Sequence, residues 1–109
     1  MTISVRQAGA AQVVDIAGDV DLGTSPNLRR TLFGLVANAQ KLALNMQALR
    51  YIDSSGIATL IEVLKDCQSS QKQFVLFGLS PAVREVFHLT HVHRIFRIFD
   101  TEEEAVASA

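Results

Sequence analysis

Four consecutive apolar residues, Phe74-Val75-Leu76-Phe77, stand between Gln73 and Gly78. The run is short and shows no apolar–polar alternation, so it reads as a central strand covered on both faces. The residues around it supply the cover. Ahead of it, Ile57, Leu60, Ile61, Leu64 and Cys67 recur three and four apart, the stripe of an amphipathic helix that Ser69-Ser70-Gln71 ends. After it, Ser80-Pro81 sets a hydroxyl cap before a proline, and Val83, Val86, Phe87 and Thr90 fall on one side of the helix it opens. A further strand, Lys41 to Met46, precedes the first of these helices, with Leu42, Leu44 and Met46 facing one way. Two strand–helix–strand crossovers in succession predict parallel neighbours with helices packed on the sheet.

The remaining segments complete a β-β-α-β-α-β-α-β-α order. Ile3 and Val5 alternate with polar residues up to the small-residue turn Ala8-Gly9-Ala10. Gln12 to Ala17 follows as a second strand, which Gly18 stops, and this opening hairpin must be antiparallel. Thr24-Ser25-Pro26 starts a helix with Leu28, Leu32, Leu35, Val36 and Ala39 on its stripe. Residues Gln47 to Tyr51 read as a turn, and Ile95 to Phe99 as the last strand. Thr101-Glu102-Glu103-Glu104 spells a capping box, and its acidic side chains suit the positive end of a short final helix. The expected fold class is α/β: a small mixed β-sheet with about four helices packed against it, in a single domain over residues 1–109.

Composition narrows the functions. Of 109 residues 49% are hydrophobic, enough for a core without staples. Ten basic residues against eleven acidic ones leave a net charge of −1, with no basic stripe for a phosphate backbone, so nucleic acid is not an expected partner. One cysteine excludes an intrachain disulfide. No apolar run approaches the roughly 20 residues of a membrane span. The opening residues carry no basic stretch followed by an apolar core. A cytoplasmic protein without membrane insertion is the expectation.

The chemistry-bearing motif is Ile52-Asp53-Ser54-Ser55-Gly56-Ile57, where an extended segment enters a helix. Small polar residues in such a place cap the helix, because its first amide groups lack intrahelical acceptors. Asp53 or Ser54 as a mere cap, with Gly56 easing a tight start, is one reading. The other is a phosphoacceptor: a hydroxyl there is exposed, and a phosphate would meet free amides and a favourable dipole. Asp53, Asp19 and Asp21 would add to its charge if the loop after the second strand folds over this helix end.

Three segments together resemble one family. Tyr51-Ile52-Asp53-Ser54-Ser55-Gly56-Ile57 is similar to the phosphorylation motif of the anti-sigma factor antagonists of the STAS family. Gly18-Asp19-Val20-Asp21 resembles that family's earlier Gly-acidic-apolar-Asp loop, with Asp19 where glutamate is more usual. Leu79 to Phe87 resembles the entry to its third helix. The resemblance implies a protein-binding switch without enzyme activity or cofactor. The unmodified antagonist binds an anti-sigma factor that is itself a serine kinase, and so releases a sigma factor. The kinase phosphorylates the hydroxyl after the aspartate, here Ser54, with Ser55 as the alternative, and a serine phosphatase reverses the step. Asp19, Asp21, Asp53, Ser55 and Gly56 would form the partner-binding surface. The rival reading is a STAS subunit of a phospholipid-type ABC transporter, but such subunits more often carry threonine and a small residue where Ser54 and Ser55 stand.

Other signals read as structural. His88, His91 and His93 lie close in sequence, but no cysteine or carboxylate in the segment completes a zinc set, so no metal site is expected. Ser54 lies outside any Gly-x-Ser-x-Gly elbow and no phosphate-binding loop is present, so no catalytic residue is assigned. Cys67, on the apolar stripe, is expected in the core.

Overall fold

The structure is a computed structural model that describes residues 1–109. Strands β1 (Thr2–Ala8) and β2 (Ala11–Val20) form the antiparallel hairpin, turning where Gly9 takes a φ of +60°. They are followed by α1 (Ser25–Val36), β3 (Lys41–Asn45), β4 (Leu49–Ile52), α2 (Ser54–Ser69), β5 (Gln73–Phe77), α3 (Pro81–Leu89), β6 (Arg97–Phe99) and α4 (Glu102–Ala107). The sheet order is β1-β2-β3-β5-β6, with β4 paired to the far end of β2. Every pairing except β1–β2 is parallel, as the crossovers require.

Strand alternation splits the core into two layers. Val14, Ile16, Leu42, Leu44, Phe74 and Leu76 face α1, α2 and α3 in the main cluster. Val13, Ala43, Val75 and Phe77 face the other way, under Ala105 of α4. The unbroken run in β5 is therefore covered on both sides. Helix α4 is held by polar clamps more than by apolar burial. Arg6 binds Asp15 and Glu102 at 2.7 and 2.5 Å, holding both carboxyls below their usual range. At the other end the buried Lys41 ammonium donates to the carbonyls of Ala105, Val106 and Ser108.

Several expectations are corrected. Gly18 does not stop β2: it takes a φ of +93°, the register shifts between Gly18 and Asp19, and the strand runs on to Val20 against β4. Leu49 to Ile52 is that new strand and not part of a turn. The last strand is confined to Arg97–Phe99, and a single 3-10 turn, Val92–Arg94, precedes it. In α2 the buried face also includes Thr59 and Val63, and Ile61 is only half-buried. Thr90 ends α3 in an exposed position. The Ser80 cap and the Thr101–Glu104 capping box form as the sequence predicts.

Candidate functional site

The bulge at Gly18 carries the end of β2 alongside β4, with Asp19 opposite Tyr51 and Val20 opposite Ile52. The Asp53 amide then donates to the Val20 carbonyl at 3.1 Å. This pairing brings the Asp19–Gly23 loop to the start of α2, so the two sequence-distant motifs share one end of the sheet. Beneath them the seat is apolar and tight. A side chain on Gly56 would place its Cβ 2.6 Å from Ile52 Cγ1 and 2.8 Å from Val20 Cγ1.

Helix α2 begins at Ser54, and Asp53 caps it. One carboxylate oxygen of Asp53 accepts from the Ser55 amide at 3.0 Å, the Gly56 amide at 3.3 Å and the Ser55 hydroxyl at 2.5 Å. These donors, the Ser55 hydroxyl foremost, hold the Asp53 carboxyl below its ordinary range against a smaller opposing effect of burial. The two serines are thereby made unequal. Ser55 is half-buried with its hydroxyl tied down, whereas Ser54 is exposed and makes no side-chain hydrogen bond. The expectation that a phosphate here would find free amides is corrected for the two that Asp53 already occupies.

Asp21 serves the neighbouring helix. Its carboxylate accepts from the Gly23 and Thr24 amides at 3.0 and 3.1 Å, and its carbonyl accepts from the Ser25 amide at 2.8 Å. The hydroxyl cap expected within Thr24-Ser25-Pro26 makes no capping bond: the structure places Thr24 at the cap position, where its hydroxyl accepts from the Asp21 amide and donates to the Asp19 carbonyl. Asp19 is half-exposed and lies 3.6 Å from Arg50. Gly56 is buried. The structure thus gathers all six candidate residues, Asp19, Asp21, Asp53, Ser54, Ser55 and Gly56, at one end of the domain.

Sequence reasoning missed two apolar members of this surface. Leu22, 77% exposed, projects from the loop between Asp21 and Gly23, and Tyr51 is 52% exposed on β4. A leucine inside an otherwise polar loop was the available signal. Elsewhere, the His88 and His93 rings stack with centroids 4.0 Å apart, and Cys67 is buried, its thiol pushed up to about 11 by that burial. No helix is long and apolar enough to cross a membrane.

The comparisons with known proteins agree with this fold. The family model of the STAS domain matches residues 2–105. The chain is 29% identical over 106 residues to an anti-sigma-B factor antagonist of Listeria monocytogenes, covering 95% of this chain and 93% of that one. Among solved structures, an anti-sigma factor antagonist from Mycobacterium paratuberculosis superposes with a TM-score of 0.88 at 24% identity, covering 96% and 90% of the two chains. The Bacillus cell fate determinant SpoIIAA in its phosphorylated form does so with a TM-score of 0.75 at 20% identity, over 96% of each. With a family model matched over nearly its whole length, this chain belongs to the STAS domain family.

Proposed function

We propose that the protein is an anti-sigma factor antagonist whose binding surface is switched by phosphorylation of Ser54. The observation that carries this reading is the inequality of the two serines: the Ser54 hydroxyl is exposed and unbonded at the first position of α2, while Ser55 is held by Asp53. A kinase can reach the first without breaking a contact. In the unmodified form the surface of Asp19, Asp21, Leu22, Asp53 and Ser54 docks on an anti-sigma factor with serine kinase activity, which then releases its sigma factor. Phosphorylation adds about −1.5 to −2 charges beside three aspartates. The docked state is thereby disfavoured, and a serine phosphatase restores binding. The Listeria relative's name supports the partner class.

The test is to incubate the chain, Ser54→Ala and Ser55→Ala with ATP and an anti-sigma kinase encoded beside its gene, mapping phosphate by mass spectrometry. Phosphate is expected on Ser54 in the wild type and in Ser55→Ala, and absent in Ser54→Ala. Ser54→Asp should melt near the wild-type temperature yet bind the kinase more weakly by about 2–5 kcal/mol, the cost of an unmatched charge in a desolvated contact. Phosphate on Ser55 alone would move the site by one residue. Phosphate on neither serine would refute the switch.

A further inference from the structure

One edge of the sheet is left open. Strand β1 pairs only with β2. Ala8 and Ala11 flank the two-residue turn and so form a hydrogen-bonded pair. The alternation of an antiparallel ladder then turns the backbone groups of Thr2, Ser4 and Arg6 toward β2 as well. The amides and carbonyls of Ile3, Val5 and Gln7 point the other way, and none of them bonds to a turn, loop or cap elsewhere in the chain. Five of the seven residues of β1 are exposed, so the strand is reachable along most of its length.

An exposed edge of this length is normally guarded against pairing by lysine, proline or a bulge. β1 carries none of these: it reads Thr2-Ile3-Ser4-Val5-Arg6-Gln7-Ala8 and pairs one to one with β2. Its single charge, on Arg6, is neutralised by Asp15 and Glu102 at 2.7 and 2.5 Å on the α4 face. On the opposite face Ile3 packs against the main core, while Val5 is left 44% exposed. The other open strands are shorter, four residues in β4 and three in β6.

We propose that β1 is a self-association edge, which pairs antiparallel with β1 of a second copy about a two-fold axis through Val5. A row of alternating amides and carbonyls is satisfied by another extended backbone, and the strand's own sequence selects a copy of itself. A dyad at Val5 is the one register that pairs all seven residues, Thr2 with Ala8 and Ile3 with Gln7. It makes Val5 the central hydrogen-bonded pair and joins two exposed valines into one covered contact. It also sets each Arg6 opposite Ser4, whereas a dyad at Arg6 would bring like charges face to face. Because the two strands run antiparallel, the two Ser54 ends point in opposite directions along the joined sheet and stay open. The pairing therefore stands apart from the switch.

Sedimentation equilibrium of the full chain, from about 10 μM to about 1 mM, should show the mass rise from 11.9 kDa toward twice that. Over the same range amide exchange should slow at Ile3, Val5 and Gln7, with Ser4 and Arg6 protected at every concentration. Val5→Pro removes an outward amide that β2 does not use, so it should keep the fold and weaken association at least about tenfold. Val5→Lys, which sets like charges across the dyad, is the second variant should the proline disturb folding, with the same loss expected. Val5→Lys mixed with Val5→Glu should associate again, because opposite charges then meet. Ser54→Asp should leave the association unchanged. A single-chain mass at about 1 mM would overturn the proposal. So would association that survives Val5→Lys, or exchange at Ile3, Val5 and Gln7 that is slow at every dilution.

Discussion

Gly34 and Gly56 both lie inside helices, and the same substitution to alanine should act on them with opposite signs. Gly34, in α1, is exposed, and a Cβ there would meet nothing within 4 Å. Replacing it removes backbone freedom from the unfolded chain and should stabilise by about 0.5–1 kcal/mol. Gly56 gains the same helical benefit but meets Ile52 Cγ1 at 2.6 Å, Val20 Cγ1 at 2.8 Å and Ile52 Cδ1 at 3.1 Å. Val20 and Ile52 are fully buried and paired across β2 and β4, and β-branched side chains have little rotamer freedom to retreat. Overpacking of this kind costs about 1–3 kcal/mol. The net expectation for Gly56→Ala is a loss of about 1–2 kcal/mol, or about 4–8 °C in Tm for a chain of this length.

Urea titration of the two variants, with thermal melts as a check, reads both signs directly. Val20→Ala removes the 2.8 Å contact and leaves the methyl group space to move away from Ile52, so adding it to Gly56→Ala should cost less than adding it to the wild type, with a coupling of about 0.5 kcal/mol or more. A neutral or stabilising Gly56→Ala, or a double mutant that is merely additive, would refute the tight seat beneath the site.

Two further outcomes follow from the charged groups. Asp15, Asp53 and Glu102 all have folded pKa values below their ordinary ones, so their stabilisation is complete above about pH 5 and is lost as the pH falls through those depressed values; in Asp53→Asn, which keeps a good cap, the urea midpoint should fall less steeply between about pH 5 and 3 than in the wild type. Lys41→Met leaves the last carbonyls of α4 without their donor and should cost about 1–3 kcal/mol, with faster amide exchange concentrated in residues 102–107; unchanged exchange there would show that the lysine does not hold the helix.

The features legible in the sequence were those whose signal is local. The caps at Ser80 and Thr101 each act on an amide three residues on, so a tetrapeptide is enough to read them, whereas at the start of α2 the sequence leaves Asp53 and Ser54 open and the structure selects Asp53. The covered strand at Phe74–Phe77 was readable from its own four residues. β4 was not, because Leu49-Arg50-Tyr51-Ile52 buries its ends and exposes its middle, which matches neither a period of two nor one of 3.6. It is a strand because β2 continues past Gly18 to pair with it, and a glycine at a bulge has the same local signature as one at a stop. Asp21 lies at the same end of the domain as Ser54, but its bonds to Gly23 and Thr24 are hidden in the sequence behind the stronger-looking Thr24-Ser25-Pro26 signal. The inequality of Ser54 and Ser55 depends on which hydroxyl Asp53 captures, and that is set by the three-dimensional turn into α2.

That capture bears on how the proposed switch would act. A phosphate on a helix N-terminus ordinarily gains from unsatisfied amides, but here Asp53 already holds those of Ser55 and Gly56. Gly56 beside them packs against Val20 and Ile52 too closely to admit even a methyl group. A phosphate on Ser54 therefore has little to gain by folding onto the helix end and must project toward solvent, next to the ionised Asp53. Its influence would then fall on the approaching partner more than on the shape of the domain. Ser54→Asp should accordingly match the wild type in amide exchange across Asp19–Gly23 while losing affinity for the kinase. Faster exchange in that loop, with affinity lost in proportion, would show that the modification works by opening the loop.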